Sequence, residues 1–292
     1  MNITLTGSLG HIGRPLAETL IRAGHQVNII SSKPANEAAI RALGATPSIG
    51  SVDDPAFLTK AFTGADAVYT MVPPNFGAAH YRTYIAGIAR QYATAIKAAA
   101  VPRVVNLSSI GAHLPEGTGP VAGLYDAEQI LNGLDNVAIT HLRPAFFYTN
   151  FYNDAGMIRE MGILGSNYGE QETLVMVHPD DIAVAAAEEL QQPGAGPTVR
   201  YVVSDRRTAG EIASVLGAAI GKPGLKWVEF TDAQLLEGML KAGLPGEIAA
   251  NFVELYGAVR GRKLFGDYYA HTPAVTGKKK LEDFAREFAE KF

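Results

Sequence analysis

The chain has 292 residues, 47% of them apolar, and a formal net charge of −4. That supports a sizeable core in one large α/β domain, or one domain with a smaller lobe, and offers no basic field for nucleic acid. There is no cysteine, which excludes disulfides, thiolate metal sites and cysteine nucleophiles. No apolar run reaches the ~20 residues of a membrane span, and a first strand expected at residue 2 leaves no room for a signal peptide, so a cytoplasmic protein is expected.

In chain order, Asn2–Thr6 reads as a buried strand and Pro15–Ile21 as a helix. Gln26–Ser31 is an apolar strand, followed by a helix near 36–43. Ala45–Ile49 is a short strand, 55–62 a helix, and 67–72 a strand ending at Pro73-Pro74. A long helix covers about 78–99. Arg103–Leu107 is a strand ending at Ser108-Ser109, and a helix near 124–133 leads to the strand 137–142. This alternation predicts a parallel sheet with helices on both faces, and right-handed crossovers make it a Rossmann-type doubly wound α/β fold. Later, Pro179 with Asp180 and Asp181 opens a helix through Leu190, as the helix dipole favours. His178, Asp180 and Asp181 are therefore read as a helix start, and no metal site is expected. A strand at 198–203, a strand at 226–230 and helices at 232–242, 245–259 and 281–291 complete the pattern. The expected organisation is a dinucleotide-binding domain over 1–150, with 173–205 returning to its sheet. Residues 151–172 and 206–292 then form a smaller, mainly helical C-terminal lobe that binds substrate.

The motif with the clearest mechanism is Gly7-Ser8-Leu9-Gly10-His11-Ile12-Gly13, between the first strand and the first helix. The first glycine permits the turn, the second lets the backbone approach a pyrophosphate, and the third lets helix and strand pack closely. The helix N-terminus offers N–H groups to the anion. The spacing is Gly-x-x-Gly-x-x-Gly, and no Gly-Lys-Ser/Thr follows, so it is not a Walker A loop. In such sheets ligands bind at the carboxyl ends of the strands. Ser31, Ser32, Lys33, Val52, Met71, Val72, Pro73, Ser108, Pro144 and Phe146 are accordingly expected beside the cofactor.

Four segments together resemble the NmrA-like atypical short-chain dehydrogenase/reductase family, which includes bacterial NADPH-dependent quinone oxidoreductases. They are Thr6–Gly13, Leu107-Ser108-Ser109, the run Leu142-Arg143-Pro144-Ala145-Phe146-Phe147-Tyr148-Thr149-Asn150, and His178-Pro179-Asp180-Asp181-Ile182-Ala183. The likeness runs over nearly the whole chain. It implies an NAD(P)H-dependent oxidoreductase acting on a small hydrophobic or aromatic substrate, as a homodimer or with a protein partner. Regulators that bind NADP(H) without turnover share the family and form the alternative. An epimerase or dehydratase of nucleotide sugars is a third reading.

NADP(H) is favoured over NAD(H). The second strand ends Ser31-Ser32-Lys33, without the carboxylate that holds ribose hydroxyls in NAD-specific proteins. Two hydroxyls and an ammonium suit a 2′-phosphate, and Arg14 lies close in sequence. At the adenine edge Ser51 stands where the family tends to have an aspartate. For catalysis, the superfamily implies serine, tyrosine and a lysine one helical turn on. Ser109 and Tyr125 are the candidates, but the residue four after Tyr125 is Gln129, and no lysine occurs between Lys97 and Lys222. Glutamine brings no charge to lower a phenol pKa of ~10. The third reading loses support for that reason, and a substrate needing little acid catalysis, such as a quinone, is favoured. Pro73, Pro74, Phe76, Phe146, Phe147, Tyr148, Phe151 and Tyr152 are expected to line an aromatic cleft.

Overall fold

The computed structural model describes residues 1–194, 196–271 and 273–292. In chain order its elements are β1 (Asn2–Leu5), α1 (Gly13–Arg22), β2 (Gln26–Ser31), α2 (Glu37–Ala42), β3 (Thr46–Ile49), α3 (Pro55–Phe62), β4 (Ala67–Thr70), α4 (Tyr81–Ala98), β5 (Arg103–Leu107), α5 (Val121–Asn132), β6 (Ala138–Pro144), β7 (Phe146–Phe147), α6 (Ala155–Met161), β8 (Ile163–Ser166), β9 (Thr173–Val177), α7 (Pro179–Leu190), β10 (Pro197–Val202), β11 (Asp205–Thr208), α8 (Ala209–Ala219), β12 (Lys226–Glu229), α9 (Asp232–Lys241), α10 (Gly246–Gly257), α11 (Gly266–His271) and α12 (Leu281–Lys291). They fall into two units. One comprises Met1–Ser109, Gly123–Arg143 and Ile182–Arg200, the other Ile110–Ala122, Pro144–Asp181 and Tyr201–Phe292.

The first unit holds a seven-stranded sheet in the order β10-β6-β5-β4-β1-β2-β3. Every pairing from β3 through β6 is parallel. Its central strands are buried on both faces, as the consecutive residues Val104 and Val105 of β5 (both 0% exposed) illustrate, so they read as continuous apolar runs instead of alternating ones. Leu58 and Phe62 of α3 and Ile88, Tyr92 and Ile96 of α4 pack on Ile30, Val68, Val104 and Ile139 of the sheet. In α4 those positions recur at spacings of four, which turns one stripe toward the strands. Helix α3 starts where Asp54 accepts from the N–H groups of Ala56 and Phe57, with Pro55 in the first turn. Strand order reverses between β1 and β4. That switch point opens a crevice at the carboxyl ends of the strands.

The second unit contains a three-stranded sheet, β11-β9-β7, and the parallel pair β12-β8, with helices α6 and α8–α12. Helix α8 is opened by a capping box in which Thr208 and Glu211 satisfy each other's backbone N–H. Tyr148 stacks on Phe284 of α12 with centroids 5.4 Å apart, and Tyr152 stacks on Phe288 at 5.6 Å. Asp181 accepts from Ser204 Oγ at 2.6 Å and from the N–H groups of Lys278 and Lys279 at 3.0 and 3.1 Å, tying down the segment before α12.

Two details depart from the sequence-based expectation. Of residues 173–205, β10 joins the main sheet, but Thr173–Val177 does not. It pairs antiparallel with β11, Met176 facing Asp205, and parallel with β7. In the main sheet β6 already has β5 and β10 as neighbours, so no edge of β6 is left for it. Among the described residues the second unit also carries β7, β8, β9 and β11 besides the expected strand β12; runs of two to five residues leave little periodicity to read.

Candidate cofactor and active site

The turn from β1 to α1 has the conformation its glycines permit. Gly7 adopts φ +89° and Ser8 φ +55°, and only glycine does the former without strain. A Cβ at Gly13 would lie 2.2 Å from the carbonyl oxygen of Ser8, and one at Gly7 would lie 2.9 Å from Met71 Cγ. Both glycines are therefore sterically required. Ile12 at the N-cap of α1 supplies no side-chain oxygen to the first turn. The Arg14 N–H donates to Gly10 O at 3.1 Å and Pro15 has no N–H, which leaves Gly13 as the first-turn position to offer an N–H to an anion. These features fit a pyrophosphate.

Next to the turn, the end of β2 forms a small polar corner. Ser8 Oγ donates to Ser31 Oγ at 3.0 Å, and Asn36 Nδ2 donates to both hydroxyls at 3.0 Å. The Lys33 N–H donates to Ser31 Oγ at 3.2 Å. Ser32 and Lys33 are exposed. The nearest carboxylate in sequence, Glu37, is taken by Arg41 at 2.9 Å. Arg14 reaches Glu18 at 3.8 Å, both side chains being well exposed. Asn36 was not foreseen from sequence. It reads as an ordinary loop residue, and only the fold brings it to Ser8.

At the end of β4, the Met71 N–H donates to Thr6 Oγ1 at 2.9 Å. Two tyrosines of α4 hold the following carbonyls, Tyr92 donating to Met71 O at 2.6 Å and Tyr84 to Pro73 O at 2.9 Å. Burial raises both phenol pKa values, so both remain neutral donors. Val52 and Val72 pack on the core cluster beneath. Ser51 Oγ donates to Asp53 Oδ2 at 3.1 Å, so a carboxylate does stand near the adenine-edge position, two residues on.

The ends of β5 and β6 carry the least expected feature. Ser108, 4% exposed, donates from Oγ to Glu128 Oε1 at 2.5 Å. Arg143 grips the same carboxylate with a fork, Nε to Oε1 at 3.0 Å and Nη2 to Oε2 at 2.6 Å. Glu128 is 2% and Arg143 8% exposed. Tyr125 lies half-buried on α5 and Gln129 is exposed one turn on. Arg143 had a signal in the sequence, since a charged residue inside an apolar strand needs a buried partner. Glu128 had none, because it reads as a polar position on a helix.

In the second unit, the Pro144 carbonyl accepts from the Ile110 N–H at 2.9 Å. The half-buried Phe146 has Phe151 and Tyr256 as ring neighbours at 5.4 and 6.4 Å. Tyr148 and Phe151 are 0% and 1% exposed; they are core, not cleft lining. Asp154 makes no side-chain cap bond to α6, and burial pushes its carboxyl up to about 7. The ring of His178 accepts from the Asp180 N–H at 3.1 Å, at the start of α7, and meets Glu287 of α12 at 3.3 Å.

A Gly-rich βα turn built to receive a pyrophosphate, at the switch point of a parallel sheet, defines a dinucleotide-binding protein. The chain belongs to the NAD(P)H-binding family, whose model matches residues 7–193. It is 28% identical over 289 residues to an NAD(P)H azoreductase of Xenophilus azovorans, covering 99% of this chain and 96% of that one. Among solved structures it is similar to an NADPH-dependent quinone oxidoreductase of Escherichia coli complexed with NADPH, with a TM-score of 0.82 at 23% identity, covering 98% of this chain and 99% of that one. A triphenylmethane reductase of Citrobacter sp. complexed with NADP(H) superposes with a TM-score of 0.80 at 20% identity over 98% and 99% of the two chains. Likenesses at that identity establish the fold, and they agree with the resemblance read from the four segments. Among the described residues no helix is long and apolar enough to cross a membrane.

Proposed function

We propose that this protein is an NADPH-preferring oxidoreductase that reduces flat aromatic acceptors, quinones first among them. The observation that carries the reading is the full-length likeness to an azoreductase, joined to a glycine cradle that tolerates no side chain at Gly13. The bound cofactor supplies the hydride, and the protein binds and orients it. Addition of a hydride to a quinone yields a stabilised phenolate that takes its proton from water. The acceptor class therefore suits a chain in which Tyr125 has Gln129 instead of lysine one turn away. Ser109 and Tyr125 are proposed as the polar groups facing the acceptor. Gly7–Gly13, Ser31–Lys33, Val52, Met71–Pro73, Ser108, Pro144 and Phe146 are proposed around the cofactor.

The preference for NADPH rests on Ser31, Ser32 and Lys33 with no unpaired carboxylate among them. The test is cofactor consumption by the purified protein with NADPH and with NADH, against benzoquinones, naphthoquinones and an aromatic azo dye. Turnover above the uncatalysed rate, faster with NADPH, is expected. Cofactor binding without turnover on any acceptor would overturn the enzymatic reading in favour of a sensor, and equal rates with NADH would overturn the preference.

A further inference from the structure

The Ser108–Glu128–Arg143 network has a direction built into it. A guanidinium only donates, so both oxygens of Glu128 act as acceptors toward Arg143. The carboxylate has no proton to offer Ser108, and the 2.5 Å contact is made with the serine hydroxyl as donor. A serine hydroxyl has one proton and two lone pairs. With that proton committed inward, Ser108 has only acceptor capacity left. The main chain keeps it there, since the Ser108 N–H donates to Leu142 O at 2.8 Å. Ser108 is 4% exposed and lies just past the carboxyl end of β5, where ligands of such sheets bind.

The geometry points to Glu128 as a positioning residue that fixes Ser108 as an acceptor for the carboxamide N–H of a bound nicotinamide. The inference rests on the NAD(P)H-binding reading of the same site. It assigns an atom and a direction to the contact that Ser108 makes beside the cofactor. Ser108 cannot donate a hydrogen bond to a substrate carbonyl while Glu128 holds its proton.

The test is equilibrium binding of NADP⁺ and of its 3-acetylpyridine analogue, in which a methyl replaces the carboxamide NH₂. Both are titrated calorimetrically into wild type, Ser108→Ala, Ser108→Thr and Glu128→Gln. Wild type is expected to prefer NADP⁺ by about ten-fold, the size of one hydrogen bond. Ser108→Ala keeps the Glu128–Arg143 pair and is expected to fold, lose the preference, and hold the analogue with unchanged affinity. Ser108→Thr retains the hydroxyl and the preference. Glu128→Gln can give Ser108 an N–H and turn its proton outward, so the preference shrinks even where overall affinity falls. A merely structural role would weaken both ligands alike and leave the ratio untouched, and that result overturns the inference, as does an undiminished preference in Ser108→Ala. Wild type that binds both ligands equally also overturns it, while wild type that binds neither overturns the cofactor reading itself.

Discussion

Asp154→Asn isolates one unfavourable charge. Burial raises the Asp154 carboxyl from 3.8 to about 7, and its side chain makes no cap bond to α6, so asparagine forfeits no contact of that kind. The sign follows from proton counting. Between pH 4 and 7 the unfolded chain has released this proton and the folded chain still holds it. The native state then binds more protons, and stability falls as pH rises. At about 1.4 kcal/mol per pH unit the rise corresponds to about 4 kcal/mol. Asp154 retains partial solvent contact, which reduces the expected effect to about 2 kcal/mol. The assay is urea unfolding of both proteins from pH 4.5 to 8. Near pH 4.5 the two should unfold at nearly the same concentration. Above pH 7 the variant should be the more stable, by a margin that grows through the interval and then levels off. A difference independent of pH would refute the argument, because no titrating group would then lie behind it.

Three further outcomes are expected. Gly13→Ala must push the Ser8 carbonyl away from a distance of 2.2 Å, a strain of about 1–3 kcal/mol, and calorimetry should show NADPH binding weakened by more than ten-fold. Lys33→Glu places a carboxylate at the end of β2, so NADPH should lose at least about ten-fold in affinity while NADH changes little; equal losses would remove Lys33 from the phosphate site. Arg143→Met leaves Glu128 buried without its cation and should cost about 3–5 kcal/mol in a denaturant melt, whereas Arg143→Met combined with Glu128→Leu should recover most of that.

The main sheet was legible because strand and helix patterns alternate strongly from β1 to β6 and the glycine turn sits where the alternation begins. The first-unit elements are found within a few residues of their expected places; α5, for example, starts at Val121 instead of near Leu124. Helix α8 went unread although its start, Thr208-Ala209-Gly210-Glu211, is a capping-box sequence. Strands β8, β9 and β11 have only four or five residues each, too few to separate alternation from chance. At the site, glycines and strand ends could be found because their constraint is local. Asn36 and Glu128 could not, because Asn36 meets Ser8 across 28 residues and Glu128 meets Ser108 and Arg143 across 20 and 15, and nothing in their own neighbourhoods demands those partners.

The interleaving of the two units bears on synthesis. Each is assembled from three stretches of chain, and the edge strand of the seven-stranded sheet is β10, Pro197–Val202. A ribosome has passed Pro197 before that sheet can close on its last neighbour. Until then the outer edge of β6 is open to unintended pairing. A nascent chain stalled at residue 150 would contain the entire glycine turn and still lack both α7 and β10. Such fragments should be prone to aggregation and chaperone capture, and no single cleavage of the chain can yield either unit whole.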